Sequence, residues 1–192
     1  MELSEAILNR RSIRKYSNKA IPDNVLVGIL EAGLAAPSGI NLQPWYFVAL
    51  KSEDSKQEYL KIMESVNAYV TPELEKRFSS SSPQTIKDTQ KFLLSMGNAP
   101  VILLVFLYKD EYEDKQTAIM GTAAATQNIL LAAYDKGIGS CWLTAPIQAG
   151  YGAKMRDMFA PGKGELVSVV TLGYPDESPK MPSRREGRYI IN

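Results

Sequence analysis

The run Ala99-Pro100-Val101-Ile102-Leu103-Leu104-Val105-Phe106-Leu107-Tyr108 is the longest apolar stretch in this chain of 192 residues. A bilayer takes roughly 20 apolar residues to cross, so the run is too short to span one. From Pro100 to Tyr108 it suits a strand that is apolar on both faces, which places it centrally in a sheet.

The same reading extends outward. Towards the C-terminus, Gln116 to Lys136 reads as a long helix that Gly137 and Gly139 end. Its middle, Gly121-Thr122-Ala123-Ala124-Ala125, is built of small residues, which predicts a tight interface with another helix. Ser140 to Leu143 reads as a strand, Ala149 to Phe159 as a helix, and Glu165 to Tyr174 as the last core strand. A polar tail, 175–192, follows. It turns apolar only at Tyr189-Ile190-Ile191, which predicts that it reaches across to another subunit.

Towards the N-terminus, Ser82-Pro83 opens a helix that ends near Gly97, and residues 67–82 read as an irregular excursion with four serines at Ser79 to Ser82. Ser52, followed by Glu53 and Asp54, starts a helix to about Val66. Trp45 to Lys51 reads as a strand. Pro22 or Asp23 opens a helix to Ala35, with Val25, Leu26, Ile29 and Leu30 at helical spacing. Leu3 to about Arg11 is a short helix. Helices and strands alternate with helices in the majority, so the fold class is layered, α+β or α/β. No repeat or boundary divides the chain, and residues 1–192 read as one domain.

Composition removes several classes of function. With 45% hydrophobic and 22% charged residues the chain can bury a sizeable core. Its net charge of +1 argues against broad nucleic-acid binding, which needs a basic face. The acidic start, Met1-Glu2-Leu3-Ser4-Glu5, lacks the order of a signal peptide, which predicts a cytoplasmic protein with no membrane partner. The single cysteine, Cys141, rules out an internal disulfide. There is no histidine. A Ser-His-Asp triad, a His-activated cysteine and a His-rich zinc site are therefore excluded. No metal site is expected, because the acidic group Asp110, Glu111, Glu113 and Asp114 reads as a solvated loop. A chain this poor in groups that titrate near neutrality points to a bound cofactor for any redox or transfer chemistry.

The cofactor's anion would have to be held by side chains. No G-x-G-x-x-G follows a strand; the nearest fragment, Gly150-Tyr151-Gly152, has Met155 where the third glycine belongs. The available donors are Arg10, Arg11 and Arg14 near one end and Arg184 and Arg185 near the other, with Ser12 adding a hydroxyl. Guanidinium groups present a planar fork that suits phosphate. Between them lies Pro37-Ser38-Gly39-Ile40-Asn41-Leu42-Gln43-Pro44, a loop rich in donors and acceptors.

Arg10-Arg11-Ser12-Ile13-Arg14-Lys15-Tyr16 resembles the opening signature of the nitroreductase-like flavoproteins. Ala36 to Trp45 resembles their second signature. Gly137 to Leu143, Gly173-Tyr174-Pro175 and the pair Arg184-Arg185 match the later blocks in order. The resemblance covers nearly the whole chain.

It implies an α+β, three-layer α/β/α fold whose central sheet is mostly antiparallel, in an intertwined homodimer that shares its flavin sites. It implies a prosthetic FMN, NAD(P)H as electron donor, and a small-molecule acceptor such as a nitroaromatic or quinone, with the flavin and no side chain as the catalytic group. By the same resemblance Arg10, Arg11, Ser12 and Arg14 bind the phosphate, ribityl chain and ring edge, and Arg184 and Arg185 close on the phosphate. Arg14 would lie near flavin N1. Pro37, Ser38, Gly39, Asn41 and Gln43 come from the other subunit. Leu143, Thr144 and Ala145 pass flavin N5, where Thr144 or Ala145 supplies a backbone N–H, since Pro146 has none. Relatives of the same fold dehalogenate aromatics or oxidise azolines. A flavin-binding redox protein without turnover, or an unliganded interaction protein, would be different classes.

Overall fold

The computed structural model describes residues 2–192. In chain order the described residues form α1 (Leu3–Asn9), α2 (Asp23–Leu34), β1 (Trp45–Leu50), α3 (Glu53–Phe78), α4 (Pro83–Ser95), β2 (Val101–Leu107), α5 (Lys115–Asp135), β3 (Gly139–Leu143), α6 (Ala145–Gln148), α7 (Gly152–Phe159) and β4 (Leu166–Gly173). Single 3-10 turns lie at Gly39–Asn41 and Met96–Asn98.

The strands form one sheet in the order β1-β2-β4-β3, and every pairing is antiparallel. β2 lies inside the sheet and all of its residues are buried, as its two apolar faces predict. Alternation sends its side chains to two separate cores. Ile102, Leu104 and Phe106 join Leu50, Cys141, Leu143 and Val169 under Tyr59, Ile62 and Met63 of α3 and Phe92 and Leu93 of α4. Val101, Leu103 and Val105 join Val170 and Leu172 against Leu26 and Ile29 of α2 and Ile129, Leu130 and Ala133 of α5. The result is three layers, helix on sheet on helix. Each fully buried aliphatic or aromatic side chain contributes about 1.5–3 kcal/mol relative to exposure.

The helix starts follow local chemistry. Ser52 caps α3 by accepting from the Ser55 N–H at 3.3 Å. Asp114 caps α5 by accepting from the Thr117 N–H at 3.0 Å. That bond and the Thr117 hydroxyl hold the Asp114 carboxyl below its ordinary value.

Three expectations need correction. Residues 67–78 are not irregular: α3 continues to Phe78 through Pro72. The Thr71 hydroxyl bonds the Asn67 carbonyl at 2.8 Å, and Gln90 of α4 donates to Thr71 at 3.0 Å, so a polar seam carries the helix where apolar periodicity fades. The helix expected over Ala149 to Phe159 begins only at Gly152, because Gly150 adopts φ +80, and the separate short helix α6 precedes it at Ala145–Gln148. The small residues of α5 do not all face a helix. A Cβ on Gly121 would lie 3.3 Å from Ser38 Cβ and 3.6 Å from Pro44 Cγ, so Gly121 admits the 38–44 connection. The close approach of α2 comes lower down, where Gly33 meets Ile129.

Candidate functional site

The segment after α1 is stitched to the edge of the sheet. Ile13 donates its N–H to the Ser140 carbonyl at 2.9 Å, and Ser12 bridges Ser140 in parallel fashion. The fit requires Gly139, where a Cβ would stand 2.9 Å from Ile13 Cγ1. Further on, Tyr16 donates its N–H to the Gly97 carbonyl at 3.0 Å and Ser17 donates to Tyr174 at 3.0 Å. The Tyr16 hydroxyl donates to the Ile13 carbonyl at 2.5 Å and sits 2.7 Å from the Thr171 hydroxyl.

This stitching brings the two ends of the chain together. Burial lowers the Arg10 pKa first, and the charges of Arg11 and Arg184 act on it in the same direction. Opposite them is Cys141, whose thiol is pushed up by burial against the pull of Arg14, a hydrogen bond from Ser12, and Arg10. Arg10, Ser12, Arg14, Arg184 and Cys141 therefore form one electrostatic group. Glu177 is the one carboxylate that acts on Cys141 within this group, so its guanidinium groups outnumber it and a phosphate would relieve their mutual repulsion. Arg185 lies beside Arg184 in the exposed tail. Arg11 is partly committed: its Nη1 donates to the Leu8 carbonyl at 2.8 Å and to its own neighbour's carbonyl, Arg10, at 2.6 Å, closing the end of α1.

Leu143 is buried in the core, so only its backbone can meet a ligand. The carbonyls of Thr144 and Ala145 accept from Ile147, Gln148 and Ala149. Among the described residues, no backbone hydrogen bond takes the Thr144 or Ala145 N–H. Both donors remain open at the end of β3, along the same strand as Ser140 and Cys141.

Pro37, Ser38, Gly39, Asn41 and Gln43 lie elsewhere. Ser38 Oγ accepts from the Gln43 N–H at 2.9 Å, and the Gln43 amide donates to Asn41 Oδ1 at 3.0 Å. Ile40, Asn41 and Gln43 hold positive φ of 45, 57 and 44, and Ile40 is 94% exposed. The loop rests on α5 at Gly121, whereas Arg10 and Arg11 line a cavity of about 480 Å³ with Tyr134 at the other end of that helix. At 1.5 Å per residue, Gly121 and Tyr134 are roughly 20 Å apart. Within one protomer the loop and the arginine group do not meet.

Sequence reasoning missed two neighbours of the site. Glu177 accepts the Arg14 N–H at 2.5 Å, tying the tail to the arginine segment. The Ser140 hydroxyl is buried and has no partner. Neither belongs to a periodic pattern, so no sequence signal marked them.

The description "Nitroreductase family" matches residues 7–174. The chain belongs to the nitroreductase family. The provisionally named NAD(P)H nitroreductase YfhC of Bacillus subtilis (strain 168) is 29% identical over 95% of this chain and 89% of its own length. An iodotyrosine deiodinase of Thermotoga neapolitana is 27% identical over 90% of this chain and 89% of its own. Among solved structures, a Bacteroides fragilis nitroreductase with bound FMN superposes with a TM-score of 0.70 at 26% identity, covering 100% of this chain and 99% of that one. No helix among the described residues is long and apolar enough to cross a membrane.

Proposed function

We propose that this nitroreductase-family protein is a cytoplasmic, single-domain, FMN-dependent oxidoreductase that takes electrons from NAD(P)H and works as a homodimer with shared sites. When bound, FMN supplies the chemistry: hydride acceptance at N5 from the reduced nicotinamide, then delivery to a nitroaromatic, quinone or similar acceptor.

The donor set fits this group. Arg10, Ser12 and Arg184 hold the phosphate, with Arg185 closing over it and Arg11 the weaker contributor because its Nη1 is already bonded. Arg14 faces the N1 edge of the ring and stabilises negative charge there. Thr144 or Ala145 presents an open backbone N–H to N5 and orients the ring, while Leu143 fixes that backbone in the core. Pro37, Ser38, Gly39, Asn41 and Gln43 come from the second copy and cover the ring and ribityl chain. The apolar end Tyr189-Ile190-Ile191, 82–87% exposed in the protomer, packs on that second copy.

One observation carries the reading. Two segments rich in ligand-type groups lie towards opposite ends of α5 within one protomer, where a second chain would join them. The direct test is to add FMN to the apo-protein and record visible absorbance, then titrate with NADH and NADPH under anaerobic conditions. Bleaching of a bound yellow chromophore, with parallel double-reciprocal plots against a nitroaromatic or quinone, supports the reading. A protein that stays colourless with excess FMN rejects it.

A second reading, reductive dehalogenation of an aromatic, is favoured by the deiodinase likeness. It uses the same cofactor residues and differs in acceptor. Release of halide from a halophenol under the same reducing conditions would select it.

A further inference from the structure

The turn between α4 and β2 carries the most unusual backbone in the molecule. Met96, Gly97 and Asn98 are consecutive and all have positive φ, at 49, 63 and 59. L-residues visit this region singly, rarely in a row, and such stretches concentrate where a neighbouring element requires them. Met96 is held there by burial at 1% exposure in the core beneath the sheet. Asn98 tolerates the conformation better than most side chains.

The element that requires the turn is the arginine segment. A Cβ on Gly97 would lie 2.2 Å from the Arg14 carbonyl oxygen and 2.7 Å from its carbon. Those are backbone atoms, which cannot swing aside. The Gly97 carbonyl accepts from the Tyr16 N–H at 3.0 Å, and the Gly97 N–H donates to Ser95 Oγ at 3.2 Å. On the far side, Glu177 accepts the Arg14 N–H at 2.5 Å and Lys15 accepts the Asp176 N–H at 2.9 Å. The backbone of Arg14 to Tyr16 is therefore threaded between the left-handed turn and the start of the tail. Gly97 is the point of that clasp where an added Cβ would strike backbone atoms of the arginine segment.

We infer that Gly97 is a positioning residue for the cofactor: its bare, left-handed Cα sets the backbone of Arg14 and so aims the guanidinium at the flavin ring. The inference rests on the reading of Arg14 as the ring-edge cation. Gly97 itself touches no cofactor.

The test uses full-length, FMN-loaded protein and reads the midpoint potential of the bound flavin by anaerobic spectroelectrochemistry. FMN affinity by fluorescence titration is a second readout. Arg14→Met removes the cation and moves the potential to a more negative value. Gly97→Ala and Gly97→Asn move it in the same direction and loosen FMN by about tenfold, the scale of one charged hydrogen bond. Asn tolerates positive φ, so that variant isolates the collision with Arg14 from the strain of the turn. The double variant Gly97→Ala with Arg14→Met is no more negative than Arg14→Met alone, because the two act through one group. Asn98→Gly, which relaxes the same turn without touching Arg14, keeps the wild-type potential. Should the Gly97 variants not fold, Ser95→Ala removes the hydroxyl that accepts the Gly97 N–H and donates to the Lys91 carbonyl, and it shifts the potential the same way by less. A wild-type potential in Gly97→Ala (or in Ser95→Ala) beside a shifted Arg14→Met overturns the inference and leaves the flavin reading intact. Additive shifts in the double variant overturn it as well. An unshifted Arg14→Met overturns the placement of Arg14 at the ring, and the inference with it.

Discussion

Two isoleucines mark the contrast between the two signature segments. Ile13, within the arginine segment, is 7% exposed and packs over Gly139 at the sheet edge. Ile40, within the Pro37–Gln43 loop, is 94% exposed and stands at positive φ. The first segment is part of its own protomer's architecture, bonded to β3, to the Met96–Asn98 turn and to the end of β4. The second rests on α5 through Ser38 and Pro44 yet leaves Ile40 uncovered in its own chain. An exposed loop at positive φ, rich in hydrogen-bonding groups and tipped by a bare Ile40, is what the proposed shared site would present to a second molecule.

The largest expected effect separates the segments by stability. Ile13→Ala should cost about 2–4 kcal/mol of unfolding free energy, as for other buried aliphatic truncations. Ile40→Ala should stay within about 0.5 kcal/mol for the protomer and weaken the dimer instead. Urea denaturation and sedimentation equilibrium measure the two quantities. Equal losses of stability would erase the contrast.

Next comes the arginine group. Arg10→Ala should weaken FMN binding by about 1.5–3 kcal/mol, the value of a hydrogen bond to a charged group. Arg11→Ala should weaken it less, since that side chain already serves the carbonyls of Leu8 and Arg10. Fluorescence titration of the two variants ranks them, and the reverse order would move the phosphate towards Arg11.

Gly121→Val sharpens the other half. The added methyls press on Ser38 and Pro44, and overpacking of this kind costs about 1–3 kcal/mol. The loop should shift and FMN affinity should fall while the arginine segment keeps its place. Unchanged affinity would show that the 38–44 connection is not fixed through α5.

The smallest effect is alkaline. Burial pushes the Tyr16 hydroxyl far above its ordinary value. Stability from the neutral phenol is full below the unfolded-state value of about 10 and declines as pH rises past it, because only the unfolded chain ionises there. Tyr16→Phe should flatten part of that decline in thermal melts between neutral and alkaline pH. Tyr59, Tyr112 and Cys141, raised by burial too, contribute to the rest. An unchanged slope would show that Tyr16 is not shielded.

Much of this was legible in the chain. Unbroken apolarity placed β2 inside the sheet, because only a strand covered on both faces tolerates it. Pro22, Ser52 and Pro83 marked helix starts through local chemistry that needs no tertiary context. The arginines declared themselves by type. What stayed hidden depends on contacts between distant residues. The distal half of α3 survives Pro72 because Gln90 reaches Thr71 across from α4. The left-handed turn at Met96–Asn98 exists because the Arg14 carbonyl occupies the space above Gly97, and neither residue signals the other along the chain. The separation of the two signatures along α5 is likewise a property of the assembled fold.

The central claim is that each site takes its arginines from one chain and its loop from another. Complementation tests it most directly. Arg10→Ala chains and Asn41→Trp chains, each holding FMN more weakly than the wild type as homodimers, are co-expressed with different tags and the mixed dimer is isolated and washed free of loosely bound flavin. Twofold symmetry then leaves one intact site, built from the arginines of the Asn41→Trp chain and the loop of the Arg10→Ala chain, so about one flavin per mixed dimer is expected. A mixed dimer with no flavin would mean that both halves come from the same chain, and would contradict the account.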